Sequence, residues 1–357
     1  MMIRHKPLPL HLALSFAFFS LYSVSQLSAA ESISGMHFLH KDWELACDNI
    51  GTCRAAGYQA DDHLERPVSV LLQRAAGANA PVTARVKIDS AQLPARGTRL
   101  AVRMLGRSYG TVAIHEQTGE GKLSAIQTAA LLQAVQSAAP IIWTAEQTEW
   151  ALSPSGASAA LLKMDDYQRR IGTASALVRK GQQSNAAVLK VQLLPLVQIK
   201  RYSPSIAKHL SVNSAQAKQL AVQLKKSVNK DSCWTLYEQN YLPEDQITIY
   251  PLNRQNVVVE APCWRGAYNY GYGYWVMDSA LQQIRQLVTA SGSSFSEGQI
   301  FAAQKGRGLA DCGLQEEWAW NGSRFVQTYK AIQAQCKGFA GGAWQMPVFI
   351  SKVQAAQ

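Results

Sequence analysis

Six cysteines, Cys47, Cys53, Cys233, Cys263, Cys312 and Cys336, restrict what this 357-residue chain can fold into more than any other feature. Their spacing groups them as 47 with 53, 233 with 263 and 312 with 336. Six cysteines allow fifteen pairings, and in an oxidising compartment the local set is the favoured one. Closing loops of about 25 to 30 residues contributes roughly 3 to 4 kcal/mol each by the chain-entropy estimate. Zinc is the alternative for such a set. No Cys-x-x-Cys pair occurs, however, and neither His37 nor His40 stands at finger spacing from a paired cysteine.

The N-terminus argues for the oxidising compartment. Arg4, His5 and Lys6 form a positive leader, and residues 8–24 are mostly Leu, Ala, Phe and Ser, too short for a comfortable membrane span. Ser28-Ala29-Ala30 supplies the small residues of a cleavage site. A signal peptide over 1–30 is expected, with Glu31 as the new N-terminus and no cysteine near the cut to carry a lipid. Loss of Arg4 and Lys6 lowers the formal charge from +11 to +9. The mature protein is expected to be periplasmic or secreted, with no transmembrane segment after cleavage. A basic, exported protein fits anionic envelope neighbours, and export disfavours nucleic acid as a partner.

With 47% hydrophobic and 17% charged residues, the chain suits packed globular domains. Trp43–Cys47 and Cys53–Tyr58 read as strand, turn, strand with a cysteine at each end of the turn. Further strands are expected at 68–72, 82–88 and 99–105. Ser124 and Gln127 form a capping box that opens a helix to Ser137, and a second helix is expected over 156–171. On that second helix Asp165 with Arg169, and Asp166 with Arg170, stand at the spacing of surface ion pairs. A basic helical stretch over 214–228 follows the Pro195–Pro204 zone, where a linker is expected. Beyond it the chain is rich in Trp and Tyr. Asn321-Gly322 is a strong hairpin signal; a two-residue turn there sets Trp318 opposite Phe325 and lays Trp318 and Trp320 over a core. The fold class is therefore α+β and β-rich: two antiparallel-sheet domains, 31–202 and 203–357, with a few helices and disulfide staples.

Several of these residues together carry a resemblance. Trp43 to Tyr58, Leu152 to Leu161 with Met164-Asp165-Asp166 and Gln168, Cys263-Trp-Arg-Gly-Ala-Tyr-Asn269, Gly306 to Gly313, and Trp318-x-Trp-Asn-Gly-x-x-Phe325 resemble a family of uncharacterised bacterial periplasmic proteins. The N-terminal half is also similar to the invasion-associated locus B family of exported proteins. The resemblance implies an exported, disulfide-bonded, β-rich protein and supplies no catalytic residues.

Motifs for catalysis are thin. Ser205-Ile-Ala-Lys208 fits the Ser-x-x-Lys of acyl enzymes but lacks the partner motifs, and Ser205 after Pro204 suits a helix cap. His37, His40, His63, His115 and His209 form no metal-ligand spacing. No metal and no cofactor is expected. Gly306-Arg307-Gly308 reads as a turn whose Arg307 is a candidate anion contact. The run from Tyr268 to Trp275 is the main surface candidate: if extended, Tyr268, Tyr270, Tyr272 and Tyr274 share one face. Such a stripe suits a glycan, a peptide or a protein partner, or else forms one side of a sheet whose glycines allow close packing. The expected function is envelope binding without catalysis, toward an anionic glycan or a protein. Inhibition of a lysozyme-like enzyme, through a stapled loop such as 48–52, and an enzyme without a recognisable motif are the alternatives.

Overall fold

The computed structural model describes residues 1–2, 33–93, 98–200 and 206–355. The expected signal peptide and Ser205 lie outside the described residues, apart from Met1 and Met2.

Antiparallel strands build most of the molecule, as the short alternating segments require. Met36–His40, Trp43–Cys47, Cys53–Tyr58, Val68–Arg74, Val82–Ile88 and Glu120–Lys122 form a six-stranded sheet in that order. A four-stranded sheet runs Thr148–Leu152, Ile141–Ala145, Arg99–Met104, Arg107–Ala113. Between them lies a core with Trp43, Trp143 and Trp150 at its centre, sealed by the helices Ala125–Ser137 and Ala157–Tyr167. The first helix is entered through the expected capping box, with both reciprocal bonds of Ser124 and Gln127 made.

The second half contains two five-stranded sheets. One runs Lys208–Ser211, Gln246–Pro251, Asn256–Arg265, Tyr270–Asp278, Ile284–Gly292; the other runs Ser294–Ser296, Gln299–Lys305, Gly313–Trp320, Phe325–Gln333, Pro347–Ile350. Val258, Tyr274 and Val276 of the first sheet meet Ile300, Trp318, Trp320 and Phe325 of the second, so the Trp pair does lie over a core. The opposite face of the first sheet is covered by the helices Ala215–Leu224 and Trp234–Glu238.

The segment after Cys336 returns to the first half. Lys337, almost fully buried, puts Nζ 2.7 Å from Asp42 and 2.6 Å from Asp61. Trp344 donates to Ser69 at 2.7 Å, and a parallel pair joins Leu196–Ile199 to Lys352–Ala355. Among the described residues no helix is long and apolar enough to cross a membrane.

All three local disulfides are present, with Cα separations of 4.0, 4.0 and 4.8 Å for 47–53, 233–263 and 312–336. Cys47 and Cys53 face each other across the first hairpin, whose turn is closed by Asp48 accepting from the amides of Ile50 and Thr52.

Two expectations need correction. The Asn321 hairpin is displaced in register: Trp320, not Trp318, stands opposite Phe325. Asn321 Oδ1 accepts from the amides of both Ser323 and Arg324, which closes a four-residue loop in place of a two-residue one. The helix over 157–167 also ends early, and Asp165 is no surface ion pair. It is fully buried and accepts from the amides of Leu177 and Val178, while Arg170 turns inward and Asp166 pairs with Lys163.

Candidate functional site: a tyrosine-lined groove

The tyrosine segment divides into a packed side and an open end. On the glycine side, a Cβ at Gly271 would stand 2.2 Å from the Trp264 indole, and one at Gly273 would stand 2.0 Å from Trp275. Only glycine lets these rings lie flat on the strand, so Gly271 and Gly273 serve packing. On the tyrosine side, exposure falls steeply along the strand: Tyr268 is 61% exposed and Tyr270 54%, Tyr272 is half-buried and Tyr274 has no exposure. Tyr268 lies in the turn before the strand. Three of the four tyrosines therefore reach the surface, and Tyr274 belongs to the core between the two sheets.

Polar groups follow the same gradient. Tyr274 donates to Glu260 at 2.7 Å across the strand pair. Burial, followed by the Glu260 charge and hydrogen bond, drives the Tyr274 hydroxyl pKa far upward. Glu260 is itself pushed up by burial, against the opposing hydrogen bonds from Tyr274 and Tyr250. Nearer the surface, the Tyr270 and Tyr272 rings meet edge to face with centroids 5.4 Å apart. The Tyr272 hydroxyl is raised by burial and then by the charges of Glu260 and Asp245. Asp245 is ion-paired to Arg265 and accepts from the Leu242 amide at 2.7 Å.

These residues enclose a groove of about 360 Å³, with Trp264 and Tyr268 to Tyr272 along one side and Leu242, Glu244 and Asp245 along the other. That volume is at the small end of ligand sites, which run from about 300 to 1,000 Å³. The Trp264 indole N–H is fixed on the Ala290 carbonyl and the Ser291 hydroxyl, so the ring is held in place. Aromatic faces, tyrosine hydroxyls and one paired charge suit recognition by contact and hydrogen bonding.

Arg307 is adjacent to this groove but already engaged. A Cβ on the next residue, Gly308, would stand 3.2 Å from the Tyr268 ring, so the turn touches the tyrosines. The Arg307 guanidinium holds both oxygens of Asp311 and also reaches the Cys336 carbonyl at 3.2 Å. It organises the turn and is only half-available to an outside anion. Lys208, from the Ser-x-x-Lys motif, donates to Gln216 at 2.9 Å. Asp311 with Cys312 and Cys336 is the one metal-capable cluster among the described residues. Both of its thiols are in a disulfide, and its carboxylate is bound to Arg307 and the Gly338 amide.

Sequence reasoning missed three groups. Asp245 and Arg265 lie twenty residues apart with no motif to join them. Glu260 did carry a signal, a lone acid ending the apolar run Val257-Val-Val259. The third is a buried cluster in the first half: Glu44 receives Tyr58 at 2.8 Å, the Ala334 amide at 2.9 Å, and stands 3.2 Å from His37 Nε2. His37 also lines a cavity of about 570 Å³, whose other walls include Ile33, Met36, Val348 and Phe349. The cavity lining also holds Asn49, Gln327 and Lys330, which are bonded within the chain to the Ile350 backbone and to Glu316, and the bond from Ala334 makes Glu44 an anchor for the returning C-terminal segment.

Residues 37–351 match the family described as "Protein of unknown function (DUF1176)", and the chain belongs to that family. It is 24% identical over 354 residues to the Escherichia coli (strain K12) protein "Uncharacterized protein YpfG", covering 92% of this chain and 95% of that one. No solved structure matches the chain.

Proposed function

We propose that this is an exported binding protein of the bacterial envelope and that the groove beside Tyr268, Tyr270 and Tyr272 holds a glycan. The carrying observation is the exposure of Tyr268, in the turn, and Tyr270, at the start of the strand, next to a groove that also presents Trp264, Asp245 and Arg265. Tyrosines on a strand offer large contact area at low rotamer cost. Three disulfides and the signal-like leader support a place outside the cytoplasm. Intact-mass measurement of the exported protein checks the second point: a mass beginning at Glu31 is expected, and one that includes residues 1–30 rules the leader out.

Titration with solubilised wall-glycan fragments, followed through tryptophan fluorescence, tests the binding. Tyr270→Ala is expected to weaken binding about tenfold, the equivalent of truncating one aromatic anchor. It should leave the melting temperature nearly unchanged. Unaltered affinity would place the contact elsewhere.

The inhibitor reading loses the feature that would support it. Asp48, Asn49 and Thr52 in the stapled turn are buried, and Asn49 exchanges hydrogen bonds with the backbone of Ile350 in both directions. That turn is not presented to a partner.

A further inference from the structure

We infer that the groove is one end of a longer track and that its ligand is a linear polysaccharide, bound at two adjoining subsites. The inference rests on the glycan reading above and specifies the ligand's class. A second cavity, of about 210 Å³, lies over the paired strands Gln299–Lys305, Gly313–Trp320 and Phe325–Gln333, against the segment 341–346, with Gln304, Lys305, Gln315, Trp344, Gln345 and Met346 in its lining. It is too small to match an ordinary ligand site by itself. Its composition is distinctive: amide side chains around a tryptophan edge and a methionine. Gln304 and Gln333 give their N–H groups to backbone carbonyls, whereas the exposed Gln345 accepts from Tyr329 and has its N–H groups for a ligand, and Gln315 donates once to Glu317 and has its carboxamide oxygen, a pairing that suits a ligand dense in hydroxyls.

The two cavities have no lining residue in common, but their walls are hydrogen-bonded to each other. At the groove, the Asn269 side chain receives the Lys305 amide at 2.9 Å and donates to the Lys305 carbonyl at 2.7 Å. Gln304 Nε2 donates to the Tyr270 carbonyl at 3.3 Å and to the Ser291 carbonyl at 2.8 Å. Gln304 and Lys305 therefore hold the tyrosine turn and also line the second cavity. The same holds for the loop beyond them: Gly308 lies against Tyr268, while Ala310 and Cys312 line the second cavity. That loop is fixed at both ends, by the Cys312–Cys336 disulfide and by Arg307 on Asp311. A rigid partition flanked by an aromatic groove and an amide-lined pocket fits one chain passing from the first to the second. A second subsite on the same ligand acts at high effective concentration and raises affinity without any change at the first.

Disaccharide and octasaccharide fragments of purified wall glycan distinguish this from a single site, with the full-length mature protein and the double variant Gln315→Ala/Gln345→Ala. Gln345 is exposed and Gln315 half-exposed, so the variant should melt close to the parent. The octasaccharide is expected to bind at least tenfold tighter than the disaccharide to the parent, and the double variant to lose that advantage while keeping its disaccharide affinity. Equal affinity for both lengths, or an octasaccharide affinity unmoved in the double variant, overturns the track. In either case a disaccharide affinity that still falls in Tyr270→Ala leaves the groove reading standing. Loss of neither ligand in Tyr270→Ala, or capture of a protein with no affinity for either glycan, overturns both.

Discussion

Two regions concentrate polar and amphipathic side chains, and they differ in what those side chains are bound to. Around the end of the helix Ala157–Tyr167, Arg170 is fully buried and gives its guanidinium to Gln168, Ser175 and the carbonyls of Ala75, Gly77 and Ala78. Arg74 beside it binds the carbonyls of Ala80 and Ser175, and Asp165 caps the amides of 177 and 178. Every one of these partners belongs to the chain. In the groove, Trp264 is held by the fold and Tyr272 is half-buried, whereas Tyr268 and Tyr270 project into solvent. A buried charge with its donors committed to backbone carbonyls maintains a loop path; a half-exposed aromatic on a fixed strand is left for something else to cover.

This contrast makes the largest stability effect fall in the first region. Arg170→Met should destabilise by roughly 3 to 5 kcal/mol, since it strips a buried charge from Asp165's surroundings and leaves several carbonyls without donors. The burial that lowers the Arg170 pKa to about 10 still leaves it charged at neutral pH. Chemical denaturation checks the figure, and a loss below about 1 kcal/mol would mean the clamp is dispensable. Next comes the staple beside the second cavity: replacing both Cys312 and Cys336 by Ser should cost about 3 kcal/mol for a loop of 24 residues.

A smaller, pH-dependent effect belongs to Asp311. Burial alone would raise its pKa, but the hydrogen bonds from Arg307 and Gly338 outweigh burial and hold it below the usual carboxylate range. A folded-state pKa below the unfolded one contributes stability above the unfolded value and loses it as pH falls through the folded value. Asp311→Asn should therefore be less stable than the parent at neutral pH, and the gap should narrow as the solution is acidified through the carboxylate range. Asp165 has the opposite sign. Its pKa is raised by burial, so its contribution to stability grows as pH falls from neutral. A constant gap for Asp311→Asn across acid and neutral pH would contradict the pairing. Smallest of all should be the melting shift of Tyr270→Ala, despite its large expected effect on binding.

Local chemistry was the legible part of the sequence. The three disulfides followed from spacing, and the Ser124–Gln127 box from a four-residue pattern. What escaped was set by segments distant in sequence. Asp165 has the i,i+4 spacing of an exposed pair, but the chain over 173–188 folds back over that helix face and turns its amides toward the carboxylate. The hairpin at Asn321 was located correctly and its register was not, because the Asn321 carboxamide captures two amides and lengthens the loop. Alternation placed the tyrosines of the strand on one face, yet no property of that segment reveals that the sheet carrying Trp318, Trp320 and Phe325 covers only its far half.

Amide hydrogen exchange with and without wall-glycan fragments compares the two regions in a single sample. Protection should rise over residues 264–272 and stay unchanged over 165–185. Unchanged exchange across the groove at saturating ligand, or protection confined to the buried clamp, would contradict the assignment of the tyrosine groove as the binding site.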